Sequence, residues 1–409
     1  MLTLARAALD IRFPKFADDW LPETIENLAH VTSGGTPNRS NKGYWGGDIP
    51  WVTTSKIDFN EIEEADEFIT QEGLGNSSAK LFKRDTLLIA LYGQGVTRGK
   101  VAILKKPAAT NQACAAVSFD AERVLVKFAF YYLQRNYEAI RNIANDGGQK
   151  NLSGGLVKAI KLHVPRNLEE QQKIADFLSA VDKKISLLKQ KNALLQQYKK
   201  GVMQQLFSRQ IRFKDDNGND FPDWQEYRLN GVLVLQENSL NMLDNEEYEL
   251  ITVKRRNAGV VSRGVFKGKE VLVKNQFILK KNQFVISKRQ IVHGACGMVP
   301  ESLDGAIVSN EYNVFEANNE KLDIHYFNLL ATTLDMKKAF FRNSDGVHIE
   351  KLLFKTKGWL KTKMLFPCVD EQRKILKFVK ALDNKIELAA QQIELTQTFK
   401  KGLLQQMFV

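Results

Sequence analysis

Residues 169–208 read EEQQKIADFLSAVDKKISLLKQKNALLQQYKKGVMQQLFS, and residues 370–409 read DEQRKILKFVKALDNKIELAAQQIELTQTFKKGLLQQMFV. Laid over one another at an offset of 201 without a gap, the two 40-residue stretches share 19 identical residues. Each has the pattern of one long amphipathic helix. In the first, Ile174, Val181, Leu188, Leu195 and Val202 recur every seven residues, with Leu178 and Ile185 between them. In the second, Ile375, Leu382 and Leu403 keep the seven-residue positions, and Val379, Ile386 and Ile393 the interleaved ones. Such a stripe is the seam of a coiled coil. At 1.5 Å rise per residue, each copy predicts a rod of roughly 60 Å, far longer than the ~11 residues of an ordinary helix.

The duplication extends outward from the helices. Ile-Arg-Phe occurs at 11–13 and again at 211–213, followed by FADDW at 16–20 and FPDW at 221–224. The repeat unit is therefore half the chain: an arm, a globular region and a long helix, twice over. The predicted boundaries are an arm over 1–22, a globular domain over 23–165, a helix over 166–208, a linker over 209–225, a second domain over 226–366 and a second helix over 367–409. If the first helix leads from domain one to domain two, the second must return, so the pair is expected to run antiparallel and the N-terminal arm to meet the C-terminus.

The two globular regions resemble each other little. The first mixes short apolar runs (DTLLIALYG, KVAIL, AAVSF) with glycine-rich turns and one predicted helix over 124–144. The second has YELITVKR, EVLVK and QFVISK and a predicted helix near 323–342. The expected fold class is α+β, with two mixed domains and two long helices in a pseudo-two-fold repeat.

Net charge is +12 with an isoelectric point near 9.3, and the basic residues are dispersed among aromatics and amides, which favours a polyanionic partner, most simply nucleic acid. Three scattered cysteines (Cys114, Cys296, Cys368) argue against a disulfide framework or a thiolate zinc site and fit a reducing cytoplasm. The longest apolar run, LLIALY at 87–92, is far short of the ~20 residues that span a membrane, so no membrane role is expected. No two of the nine prolines are adjacent, so the Pro-Pro motif of amino-methyltransferases is missing. YGQGVTRGK lacks the first glycine and the final Ser or Thr of a Walker loop. Pro222, Asp223, Glu226 and Arg228 are too cramped for a nuclease cluster, and the five histidines show no metal-ligand spacing. A non-catalytic chain with no bound metal or cofactor is expected.

Long polar loops carry the candidate contacts. Arginine offers a bidentate fork to guanine, Asn and Gln a matching pair to adenine, and lysines and hydroxyls hold phosphates. The DNA-binding candidates in the first domain are Arg39, Lys42, Tyr44, Thr54, Lys56, Tyr92, Gln94, Arg98 and Lys150. In the second they are Arg255, Arg256, Arg263, Lys288, Arg289, His293, Arg342 and His348. On the helices, matched polar positions that face away from the seam are candidates for binding other subunits: Lys184 with Lys385, Gln190 with Gln391, and Gln204 with Gln405.

Two dissimilar domains alternating with two near-identical helices resemble the specificity subunit of type I restriction-modification enzymes. Local matches are GGTPNRSNKGYWGGDIPW at 34–51, GQGVTRGKVAI, NQACAAV, LDGAIVSNEY at 303–312, and the lead-in to each helix (Pro165, Glu170, Gln171, Lys173, Ile174; Pro367, Glu371, Gln372, Lys374, Ile375). The resemblance covers essentially the whole chain. It implies a DNA-reading subunit whose two target recognition domains each read half of a split site. The helices would act as an antiparallel spacer and dock two methyltransferase subunits that use S-adenosylmethionine. Motor-nuclease (restriction) subunits using ATP and Mg would join them. Two other readings share parts of this pattern: the specificity subunit of a methylation-only complex, and a coiled-coil scaffold with two protein-binding heads, which would lack salt-dependent DNA binding.

Overall fold

The computed structural model describes residues 11–93, 96–143, 151–349 and 352–408. The chain divides into two compact units, one of the described residues up to 190 together with those from 390 onward, the other of residues 191–389. Both divisions fall inside long helices, Leu168–Phe207 and Val369–Met407.

In the N-terminal unit the central sheet has five strands in the order Ala29–Ser33, Cys114–Phe119, Leu87–Ala90, Val101–Leu104, Asn60–Ile62. The first three pairings are antiparallel and the last parallel. Leu87–Ala90 and Val101–Leu104 are buried throughout, which is why they read as continuous apolar runs rather than alternating ones. A second sheet orders Glu67–Ile69, Trp45–Val52, Ala108–Thr110 and Leu81–Phe82.

The other unit repeats the first four central strands with different residues: Leu233–Gln236, Tyr312–Ala317, Phe284–Ser287 and Cys296–Met298, all antiparallel. Its second sheet orders Ser239–Leu240, Gln276–Ile278, Ile307–Ser309, Glu247–Val253 and Val260–Lys267. Trp359 is fully buried here among Phe315, Phe327, Phe340 and Phe354.

The same fastening holds each long helix to its unit. Gln171 is fully buried: its amide oxygen accepts from Leu125 N (2.9 Å), and its nitrogen donates to Arg123 O (2.9 Å) and Pro165 O (2.8 Å). Gln372 is its counterpart, on Asp323 N (2.8 Å), Lys321 O (2.9 Å) and Pro367 O (2.8 Å). One residue earlier, the buried Glu170 receives a bidentate fork from Arg12 (2.7 and 2.9 Å), and Glu371 receives one from Arg212 (3.1 and 2.8 Å). The phenylalanine of each Ile-Arg-Phe packs on the helix, Phe13 on Phe177 and Phe213 on Phe378. A short antiparallel ribbon completes each copy, Leu21–Thr24 with Lys161–Val164 and Gln225–Arg228 with Lys363–Phe366.

Within each unit the helices run antiparallel. In one, Asn192 Nδ2 donates to Ile386 O and Lys199 pairs with Asp383. In the other, the equivalent pair is Lys400 with Asp182 (2.7 Å), where Tyr131 also donates to Asp182 (2.9 Å). Burial beside that carboxylate pushes the Tyr131 phenol well above its usual range. The seam is buried where it enters a core: Ile174, Leu178, Val181 and Ile185 with Leu403, and Val202 with Ile375 and Val379; Leu188, Leu195, Ile386 and Ile393 are half-buried. The arm meets the C-terminal turn as expected, through Ile11 N to Gln406 O (3.3 Å) and Trp20 edge-on to Phe408.

Three local expectations are corrected. The helix read over 124–144 is two, Val126–Arg135 and Tyr137–Asn142, parted at Asn136 (φ −91°, ψ 13°), whose side chain competes with its own backbone N–H for Tyr132 O (2.9 and 3.1 Å). The helix read near 323–342 is also two, Ile324–Leu330 and Leu334–Arg342. The Thr332 and Thr333 hydroxyls bond back to Leu329 O and Leu330 O, and Thr333 caps the next helix at Met336 N. The apolar run EVLVK forms no strand; it follows a single turn at Gly268–Glu270, with Val271 buried and Leu272 exposed.

Replacing Gln171 with Leu leaves one N–H and two carbonyls without their partner inside the protein. At about 1 kcal/mol or more for each orphaned group, a loss of about 3 kcal/mol is expected. For a unit of this size that is a fall of roughly 6–12 °C in the melting temperature, measured by calorimetry. Gln372→Leu should do the same to the other unit's transition.

Candidate nucleic-acid interface

The tightest gathering of candidate cations lies in the C-terminal unit. Strands Glu247–Val253 and Val260–Lys267 are joined by a six-residue loop closed by Lys254 N to Gly259 O (2.9 Å). Within it Arg256 (φ 61°) and Asn257 (φ 55°) are both left-handed. For a residue with a Cβ that conformation costs roughly 1–2 kcal/mol. It is held by two backbone bonds to a neighbouring turn, Arg256 N to His293 O (2.7 Å) and Asn257 N to Gly294 O (2.8 Å). Gly294 is also left-handed (φ 73°), and a Cβ there would lie 2.9 Å from Asn257 Oδ1, so the interlocked loops require glycine.

The result is an open concavity of about 410 Å³ lined by Arg255, Arg256, Asn257, Val292, His293, Gly294 and Lys337. Lys337 comes from Leu334–Arg342, whose opposite face buries Met336, Ala339 and Phe340. Three predicted residues thus meet here, and one unpredicted residue joins them. The helical pattern marks Lys337 as solvent-facing, but its long separation from Arg255 along the chain hides the encounter.

The other candidates of this unit are placed elsewhere. Lys288 Nζ donates to Asn310 O (2.5 Å) and Arg289 pairs with Glu311 (2.7 Å), so both brace a turn. Arg263 is exposed beside Leu272 in a separate hollow. Arg342 lines a different concavity, with Arg209 and Trp224, and His348 is exposed beyond the strand Ser344–Asp345.

In the N-terminal unit, Arg39 lies over Trp45 (3.8 Å to the ring centre) and Trp51 (4.8 Å) and pairs with Glu67, which raises its pKa further. Lys42 and Tyr44 bound a short turn, with Lys42 exposed and Tyr44 half-buried. Thr54 opens the turn that ends at Lys56, which pairs with Asp66 (2.5 Å), and Tyr92 is exposed. Arg98 does not fit the expectation of a surface fork. It is buried, and its guanidinium donates to Arg141 O (2.6 Å), tying a loop to the helix Tyr137–Asn142. Gln94 and Lys150 lie outside the described residues. All six helix candidates, Lys184, Gln190, Gln204, Lys385, Gln391 and Gln405, are exposed.

Residues 17–197 and 222–397 each match the type I restriction modification DNA specificity domain. The chain belongs to this family. Its specificity-domain relatives include the MjaIX specificity subunit of Methanocaldococcus jannaschii, 27% identical over 238 residues, covering 55% of this chain and 54% of that one. The EcoR124I/EcoR124II specificity subunit of Escherichia coli is 27% identical over 39% of this chain and 40% of its own. The chain thus spans about half the length of these two relatives or less. A putative MjaX specificity subunit from M. jannaschii is 24% identical over 95% and 92%. Two solved structures share the fold along nearly the whole chain: an S subunit from M. genitalium (TM-score 0.56, 16% identity, 98% of each chain) and the HsdS subunit of Thermoanaerobacter tengcongensis (TM-score 0.55, 13% identity, 97% and 98%).

Among the described residues, no group of three or more His, Cys, Asp or Glu could hold a metal ion, and no helix is long and apolar enough to cross a membrane. The cysteines of this specificity-domain chain are unpaired. Burial pushes the Cys114 and Cys296 thiols up to about 12, while Cys368 is partly exposed. Since the thiolate is the reactive form, iodoacetamide at pH 8 should modify Cys368 alone in the folded protein and all three cysteines in guanidinium, as counted by intact mass.

Proposed function

We propose that this chain is the DNA-reading subunit of a type I restriction-modification complex, each globular unit reading one half of a bipartite site in double-stranded DNA. One observation carries the reading. The fastenings Arg12–Glu170 with Gln171 and Arg212–Glu371 with Gln372 are duplicated nearly atom for atom, whereas the loops they support have diverged. A chain that keeps its frame twice and varies its loops is suited to presenting two different recognition surfaces on equivalent mounts. The chain itself is non-catalytic in this reading. Two methyltransferase subunits bring S-adenosylmethionine, motor-nuclease subunits bring ATP and Mg, and the assembly works in the cytoplasm.

The helices carry matched outer faces that suit two equivalent partners. Leu187 and Leu388 are 54% and 58% exposed, Leu194 and Leu395 65% and 69%, and Tyr198 and Phe399 54% and 55%. Large apolar groups held out in solvent at the same positions of both copies mark a protein-facing surface rather than a solvated one. The candidates Lys184, Gln190, Gln204, Lys385, Gln391 and Gln405 would then form the polar surroundings of these anchors.

Two measurements test this. Replacing Arg255 and Arg256 with Ala should weaken DNA binding and flatten log affinity against log salt by roughly 0.9 for each phosphate that is no longer neutralised. A scaffold protein would show no such slope in the unaltered chain. Replacing Leu194 and Leu395 with Asp should cost about 2 kcal/mol or more at each docking site, roughly thirtyfold in affinity. Native mass spectrometry should show two methyltransferase subunits per wild-type chain and fewer in the variant.

A further inference from the structure

We infer that the concavity formed by Arg255, Arg256, His293 and Lys337 is a seat for a single DNA backbone phosphate, with Lys337 as a contact in its own right; this rests on the DNA-reading function proposed above. Two separate chain segments bring cationic side chains, Arg255 with Arg256 and Lys337, to one opening beside the His293 turn, and among the described residues no carboxylate lines it. Lys337 is exposed and has no ion pair among the described residues, whereas its neighbour Lys338 faces Asp335, and Lys288 and Arg289 are tied to a turn. The loop is fixed before any ligand arrives, because Arg256 and Asn257 are locked in left-handed geometry by His293 O and Gly294 O. A rigid, positively lined hollow matches a compact anion better than a base edge, which needs paired donors and acceptors in one plane.

The N-terminal unit is built differently at the matching place. Arg98 precedes the left-handed Gly99 as His293 precedes Gly294, but Arg98 is buried on Arg141 O, and Lys100 pairs with Asp58. Among the described residues, the phosphate seat is therefore assigned to the C-terminal unit.

The test uses the full chain assembled with its methyltransferase, titrated with its DNA site from 50 to 200 mM salt. Lys337→Ala should flatten the slope by about 0.9 and weaken binding several-fold, equally across sequence variants of either half-site. Lys337→Arg should restore the slope. Thermal melting should be unchanged, since the side chain is exposed. A wild-type slope that Lys337→Ala leaves intact overturns the seat while leaving the DNA-reading function standing. A changed base preference with an unchanged slope also overturns it, in favour of a base contact. A wild-type complex with no slope overturns both.

Discussion

The buried carboxylate at the start of each long helix sets the terms for everything attached to it. Glu170 and Glu371 are almost wholly shielded from water, and a charge so placed is tolerated only when it is paired and hydrogen-bonded. Arg12 and Arg212 supply that partner, and each directs a further donor to a backbone carbonyl of its own arm, Asp18 O or Pro222 O. The arm or linker is thereby bound to the helix, which in turn positions the two-stranded ribbon that closes each globular core. The neighbouring glutamine extends the fastening to the start of the next domain helix. Breaking one partner of such a set strands a charge in the interior, so the set persists as a unit.

This frame explains why sequence divergence is confined as it is. The central strands of the two units follow the same order with scarcely a shared residue, because a buried strand asks only for apolar side chains of compatible volume. The fastenings ask for particular donors and acceptors at particular distances and tolerate no such exchange. Loops that meet neither demand are free to differ, and that is where the two units part: Arg98 turns inward as a strut, while its counterpart His293 shares an open cationic hollow. Two loop surfaces of unlike chemistry can then stand on one architecture.

The outer faces of the helices obey a third constraint. A seam position is buried against its partner helix, so its apolar character explains itself. Leu187, Leu194 and Tyr198 have no such burial, nor do Leu388, Leu395 and Phe399, so both copies hold large apolar or aromatic side chains in solvent at the same positions.

Much of this was legible in the residues alone. The 201-residue offset established two equivalent halves, the seven-residue spacing established long paired helices, and the repeated Ile-Arg-Phe marked an arm with a duplicated task, because local periodicity and self-similarity are properties of the chain itself. The helix breaks at Asn136 and Thr332–Thr333 were hidden, since side-chain competition for a backbone carbonyl overrode the apolar pattern. The fate of each cation was hidden more deeply. Arg98 and Arg256 are the same residue type in similarly glycine-rich, polar loops, and no local feature separates a buried strut from a solvent-facing fork. That difference is decided by which distant backbone group comes within hydrogen-bonding reach once the sheets have packed: Arg141 O for the one, and for the other only its own backbone, fixed against the His293 turn with the side chain left at the rim.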